Sequence, residues 1–320
     1  MRGDKMQNTE TKKQTIFQNP IILTLNALLC CAQWGSATPA IKTGYRLLAV
    51  EGVSSIMLFA GIRFFMAGIF TVIIFSIARR KLLIPKKENI GRILTVASVQ
   101  TVIQYVCFYL GLAYTSGVKG TIASGSGAFF AVLIASLIFK QEKLTVKKIV
   151  ACAVGFLGIV LINLNGLTFS SDPLDLMGVA FVLLSAIALS FSTVLIKKYS
   201  AYEEPVTISG YQFIVGGFFM IMIGLAFGGK VDFSNLFGVL DLVYLALLSA
   251  VAYSLWGILL KHNPVSKVTV FNFTTPVFGV LLTMLFLPGE SGSVNIINLV
   301  ITLVLISLGI LLLNYKKADK

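Results

Sequence analysis

The sequence predicts an all-α membrane protein of ten transmembrane helices, folded as two inverted five-helix repeats. Three observations predict it. Of 320 residues, 57% are hydrophobic and 12% charged, at a mean hydropathy of +0.90, whereas soluble domains are about 45–50% apolar and about 25% charged. Apolar stretches long enough to cross ~30 Å of hydrocarbon as helix recur from end to end, divided by short polar breaks. The two halves also resemble each other. Lys119, Phe130 and Glu142 each find the same residue type 148 positions on, at Lys267, Phe278 and Glu290. RFFMAGIF (63–70) falls on QFIVGGFF (212–219) at 149, and Gly158 and Asn163 fall on Gly309 and Asn314 at 151. Five helices separate equivalent positions, so equivalent segments run in opposite directions through the bilayer.

The spans follow in order. A polar tail of nineteen residues precedes an apolar run over 20–41; its length marks a retained signal-anchor, since a cleaved leader has an apolar core of only ~7–15 residues. This first span carries Trp34, Gly35 and Pro39, a ring beside a flexible point. The second, 53–78, holds Arg63, and the third, 92–114, holds Gln100 and Gln104 four apart on one face with Tyr105 and Tyr109 beside them. In the fourth, 118–139, Gly120, Ser124 and Ala128 recur every fourth residue, as do Ala151 and Gly155 in the fifth, 147–164, which lets backbones approach closely. A linker, 165–175, leads to the sixth and seventh spans, 176–196 and 206–228. The eighth, 237–260, places Ser249, Tyr253 and Trp256 on one face; the ninth, 267–287, does the same with Asn272, Thr275 and Pro276. The tenth, 295–314, ends before a short tail, 315–320.

The net charge of +13 raises nucleic acid as a partner until its distribution is read. With the N-terminus in the cytoplasm, 21 Lys and Arg fall in cytoplasmic segments, four (Lys42, Arg46, Lys119, Lys230) fall outside, and Arg63 alone is left inside a span. That is the positive-inside pattern, and it predicts both termini in the cytoplasm of a multi-pass protein of the bacterial plasma membrane, with no nucleic-acid partner. Cys30, Cys31, Cys107 and Cys152 lie in apolar runs without CxxC spacing and read as core thiols.

WGSATPAIK (34–42), RFFMAG (63–68), the long stretch YLGLAYTSGVKGTIASGSGAFFAVLIASLIFKQEKLT (109–145) and its second-half echo PVSKVTVFNFTTPVFGVLLTMLFLPGE (264–290) resemble the EamA-type permeases of the drug/metabolite transporter superfamily. The resemblance covers roughly 21–163 and 176–314. It implies two EamA repeats, here 20–164 and 176–314, between cytoplasmic tails at 1–19 and 315–320, and a role in solute import or export. In one respect the chain departs from the pattern: the second half keeps the proline of the family at Pro276, whereas the equivalent first-half position is Ala128, near Gly125 and Gly127. The fourth helix is therefore expected to flex through glycine. Gly35, Pro39, Gly125, Gly127 and Pro276 are the expected hinge positions.

A charged side chain at mid-bilayer costs at least about 2.5–3.5 kcal/mol, so Arg63 needs a reason. It either faces a cavity and pairs with a carboxylate or phosphate of a solute, or pins its helix by bonding backbone carbonyls. Trp34, Arg63, Gln100, Gln104, Tyr109, Tyr253, Trp256, Asn272 and Thr275 are the candidate substrate-binding residues, between helices one, two, three, eight and nine. Amides and aromatic rings suit a moderately polar organic solute better than an inorganic ion; helix-helix contacts and interfacial belts are the bland alternative for each. The acidic residues map to helix ends or loops, Asp175, Asp232, Asp241 and Glu290 outside and Glu142, Glu203 and Glu204 inside. Facilitated or exchange transport is therefore expected, not a proton relay. SGVKGT (116–121) lacks a phosphate-loop pattern, and His262, the one histidine, reads as a loop residue, so no enzyme, cofactor or metal site is expected. The sequence thus predicts a secondary transporter moving a small organic metabolite, amino-acid-like or similarly polar or aromatic, by alternating access. Its partners are that solute and the lipid bilayer, as monomer or homodimer. A broad-specificity drug exporter and a non-transporting scaffold or sensor are the alternatives.

Overall fold

The computed structural model describes residues 16–164, 172–286 and 296–314; Glu290, most of the N-terminal tail, the core of the linker and the C-terminal tail lie outside them. The described residues are helical between short turns. We number the helices α1 Pro20–Leu47, α2 Gly52–Ala78, α3 Lys87–Tyr114, α4 Gly117–Ile138, α5 Val146–Ile162, α6 Pro173–Tyr199, α7 Pro205–Ala226, α8 Leu236–His262, α9 Val265–Phe286 and α10 Ile296–Asn314. Among the described residues, nine of these are long and apolar enough to cross a membrane. The remaining one, α5, has 17 residues, or about 25 Å at 1.5 Å per residue. Large apolar side chains such as Leu25, Ile77, Phe218, Phe219 and Leu285 point outward and are half or more exposed. In water that would be a liability; a lipid-facing surface needs it.

The helix starts follow their caps. Asn19, Asp172 and Asn235 accept from backbone N–H groups of the first turns of α1, α6 and α8, and proline occupies the first turn of α1, α6 and α7. Two boundaries differ from expectation. α1 runs on to Leu47, so Lys42 and Arg46 are helical; exposed cations do not stop a helix, and the chain turns only where Ala49 and Gly52 take φ of 48° and 73°. His262 is the last residue of α8 and stacks on Phe17 with ring centroids 5.9 Å apart.

α2 and α7 make the closest crossing. A Cβ on Gly61 would stand 2.6 Å from Ile221 N, and one on Gly68 2.6 Å from Gly210 O, so only glycine permits this approach. α5 packs on α10, α3 and α4 on α6, and α1 on α8 and α9. The connections α2–α3 and α6–α7 meet through Glu203, which accepts from Lys86 N and Asn89 Nδ2 at 2.9 and 3.0 Å, and through the Arg79–Glu204 ion pair. The connections α4–α5 and α8–α9 meet at the same lysine-rich end through Glu142. At the opposite end, Leu48 O accepts from Asp232 N at 2.9 Å and Ser55 Oγ from Lys230 N at 3.1 Å. There the Asp232 carboxyl is held below its ordinary range by the Ser234 backbone N–H.

Candidate functional site

Arg63 lies near the middle of α2, is 4% exposed, and donates from Nε and Nη2 to Ser249 Oγ of α8 at 3.1 and 2.9 Å. Ser249 in turn donates to Leu245 O at 2.9 Å. The guanidinium also sits 5.1 Å from the centroid of the Phe64 ring, within cation–π range. The partners it meets are neutral. Among the described residues its hydrogen bonds go to Ser249, so that it joins α2 to α8 through a side chain.

The surroundings of Arg63 are matched by residues 148 or 149 positions away. Gln212, at 63 + 149, is fully buried and accepts from Thr101 Oγ1 at 2.7 Å, and Thr101 stands at 249 − 148. Phe64 and Phe213 (64 + 149) stack on each other, centroids 5.1 Å apart and 16° between planes. The hydroxyls of Tyr105 and Tyr253 (105 + 148) are 2.8 Å apart. Residues that correspond between the halves therefore face each other across the middle of the bundle.

Several of the expected site residues come together here. Trp34 meets Tyr253 and Trp256 edge-on, centroids 5.2 and 5.0 Å apart. Tyr109 lies 5.9 Å from Tyr105 and bonds the hydroxyl of Tyr45, a residue that sequence reading leaves in a loop because it follows Lys42. Gln100 and Gln104 are 3% and 6% exposed, yet each has an Oε1 without a hydrogen-bond partner, and so do Trp34 Nε1 and Asn272 Oδ1. Such atoms cost free energy in an apolar interior unless water or a ligand meets them. Asn272 and Thr275 stand on α9 where it packs on α1, beside Phe271, whose carbonyl accepts from Cys31 Sγ at 3.2 Å; no contact joins them to Arg63 among the described residues.

The expected hinges have varied settings. A Cβ on Gly35 would stand 2.8 Å from Gly279 N, so Gly35 marks a close approach of α1 to α9. α1 continues through Pro39. α4 breaks at Ser126 between Gly125 and Gly127, and Ser190 Oγ of α6 lies 2.7 Å from the Gly127 carbonyl. In α9, a 3-10 stretch over Val270–Thr274 precedes the α-helix that begins at Thr275, with Pro276 in its first turn. Ser126 and Thr274 are 148 apart. α3 and α4 also contain π-wide turns, at Ala97–Ile103 and Ile134–Ile138, and the first carries Gln100. No residue pattern announces them.

Two acidic residues tie helices together at the two ends. Asp175 of α6 accepts from Thr115 Oγ1 at 2.6 Å and pairs with Lys119 of α4. At the lysine-rich end Glu142 accepts from Ser266 N and Oγ at 3.1 and 2.9 Å and pairs with Lys148. A cavity of about 390 Å³ opens beside it, lined by Glu142, Thr145, Lys148, Lys197, Asn263 and Ser266. It lies at the level where α8 ends, thirteen residues or about 20 Å beyond Ser249, and belongs to this end contact, not to the surroundings of Arg63. Asp241 lies at the outer end of α8, as the acids are expected to: it is the sixth residue of that helix and partly buried, with its Oδ2 lacking a hydrogen-bond partner.

The EamA-like transporter family matches this chain twice, over residues 21–164 and 176–315. A WAT1-related chloroplast protein of Arabidopsis thaliana is 24% identical over 287 residues, which are 86% of this chain and 66% of that protein. An uncharacterised transporter of Synechocystis sp. is 25% identical over 325 residues, 93% and 92% of the two chains. An uncharacterised transporter of Archaeoglobus fulgidus is 27% identical over 256 residues, 78% and 84%. A crystal structure superposes with a TM-score of 0.75 at 17% identity, covering 91% of this chain and 97% of its own, a likeness of fold.

Proposed function

The chain belongs to the EamA-like transporter family and is a membrane transporter, and from that premise we propose that it carries a small organic solute with a carboxylate or phosphate group by alternating access. The observation that carries this reading is Arg63: a buried guanidinium at mid-bundle whose contacts, Ser249 and the Phe64 ring, carry no opposite charge. An anionic solute supplies the missing charge through charge-assisted hydrogen bonds. Tyr105, Tyr109, Tyr253, Trp34 and Trp256 give an apolar or aromatic body something to pack on. Gln100, Gln104, Asn272 and Thr275 offer amide and hydroxyl groups along the path.

The two halves, 20–164 and 176–314, act as inverted five-helix repeats that make ten spans, with the lysine-rich end in the cytoplasm of a bacterial plasma membrane. This architecture is supported by the facing of residues 148 or 149 apart. It is supported too by the pairing of helices, because α2 with α7 and α5 with α10 join equivalent elements, and α3 with α6 corresponds to α8 with α1. Two related halves have two near-equivalent packings, which is the basis of alternating access. In this scheme Asp175 closes the outer end and Glu142 the inner end, and each transport step breaks one of these contacts. Gly125, Gly127 and Pro276 absorb the bending of α4 and α9, and Gly35 and Pro39 that of α1. Transport runs by facilitation or exchange.

The test is Arg63→Gln, which installs the residue of the corresponding position. Thermal shift of the purified protein with phenylacetate against phenylacetamide should show stabilisation by the acid in the wild type and a loss of about ten-fold or more in apparent affinity in the variant. Proteoliposomes should exchange the best-stabilising acid saturably. An unchanged preference for the acid over the amide in Arg63→Gln would remove the anion reading.

A further inference from the structure

We propose that Asp241 is a second anchor of the central site, one that binds a cationic group, so that the solute is amphoteric with its two charges well separated. This rests on the reading of Arg63 as the anion anchor. Asp241 Oδ2 is buried without a hydrogen-bond partner, a costly state for a carboxylate oxygen unless something else meets it. The side chain packs against the bare backbone of Gly44 in α1, where a Cβ would come within 2.7 Å of Oδ2 and 3.0 Å of the Phe59 ring, so glycine is what admits the carboxylate at this contact.

Placement connects this group to the site. Asp241, Leu245, Ser249 and Tyr253 recur every four residues on one face of α8. The third of them holds Arg63 and the last bonds Tyr105. The field of Arg63 reaches Asp241, and the two form no ion pair among the described residues, so neither is met by an opposite charge in direct contact. Tyr45 and Tyr109, joined through their hydroxyls, lie within the same field, and Tyr45 meets Phe59 edge-on at 5.2 Å. Phe59 in turn lies against Gly44. Aromatic rings beside a carboxylate suit an alkylammonium. A bare metal cation is a poor occupant, since it asks for six or more oxygen ligands and, among the described residues, no group of three or more metal-ligating side chains forms here.

The correspondence between the halves sharpens the assignment. The position 148 before Asp241 is Ile93, and that 149 after Arg63 is Gln212. Both charges therefore stand at positions whose counterparts are neutral, which polarises an otherwise symmetric centre. Eight residues separate Asp241 from Ser249, about 12 Å along α8, further than the amine and carboxylate of an α-amino acid can span. The solute class that fits is a chain with an amine at one end and an acid at the other, of the ω-amino acid kind.

The experiment is a thermal-shift titration of the full-length protein with ω-amino acids from 4-aminobutanoate to 8-aminooctanoate, each against its unsubstituted alkanoate, in the wild type, Asp241→Asn and Arg63→Gln. The expected result is a length optimum at which the amino acid binds the wild type about ten-fold more tightly than the alkanoate. Asp241→Asn should erase that advantage without weakening alkanoate binding, and Arg63→Gln should weaken both. Equal affinity for the two series in the wild type overturns the proposal, whether or not Asp241→Asn folds, and leaves the Arg63 reading standing. An unchanged ratio in Asp241→Asn does the same. If no alkanoate binds, or Arg63→Gln has no effect, both readings fail together.

Discussion

At the scale of single residues, the centre of this protein is built from matched pairs in which one member has been changed. Thr101 with Gln212 is a neutral pair; Ser249 with Arg63 occupies the corresponding place and carries a charge. Ser249 orients the guanidinium by taking two of its N–H groups. Ser249→Ala leaves those donors without a partner, and the expected loss is about 1–3 kcal/mol, read as weaker acid binding in thermal shift and a lower melting temperature without ligand. Arg63 could be found in the sequence because a lone charge in an apolar run has few explanations. Helical spacing of polar atoms in apolar surroundings singled out Gln100, Gln104, Tyr109 and Trp256, and these side chains are buried. Tyr45 and Asp241 were not singled out: both lie within two turns of a helix end, where sequence cannot tell a residue in water from one turned inward.

At the scale of helices, glycine and broken hydrogen bonding decide how elements meet. α2 and α7 touch backbone to backbone at Gly61, Gly68, Gly217 and Gly224. Gly61→Leu must push the two helices apart, at a cost of about 1–3 kcal/mol or more, and should appear as loss of monodisperse protein in size-exclusion chromatography; Gly91→Leu, whose Cβ would meet open space, should not have this effect. The break of α4 at Ser126 is supported from α6 by Ser190. Ser190→Ala should lower the melting temperature by roughly 2–4 °C, as for a lost buried hydrogen bond of about 1 kcal/mol. Span positions were legible to within a few residues since apolar length is set by the bilayer, and the break of α4 at Ser126 falls between Gly125 and Gly127, where the sequence leads one to expect a bend. The π-wide turns of α3 and α4, which lie where these helices contact α6, were not legible, because no local residue type encodes them.

At the scale of the whole molecule, two halves meet along α2 and α7 and are tied by Asp175 at one end and by Glu142, Glu203 and Glu204 at the lysine-rich end. The weak internal repeat in sequence set RFFMAGIF against QFIVGGFF, but that Phe64 stacks on Phe213 and Tyr105 meets Tyr253 was not read from it, because a correspondence in sequence does not say which residues touch. The tying acids were legible only as helix-end residues, because their partners lie far away in the chain. The most direct measurement of alternating access is the distance between spin labels by pulsed electron resonance, in a background with the four native cysteines replaced. One pair, at Lys143 and Lys261, reports the lysine-rich end; another, at Tyr114 and Leu176, reports the opposite end. Glu142→Gln should lengthen the first distance and leave the second unchanged, while Asp175→Asn does the reverse. If both distances stay fixed in both variants, or lengthen together, the two ends are not alternately gated and the transport mechanism drawn here is contradicted.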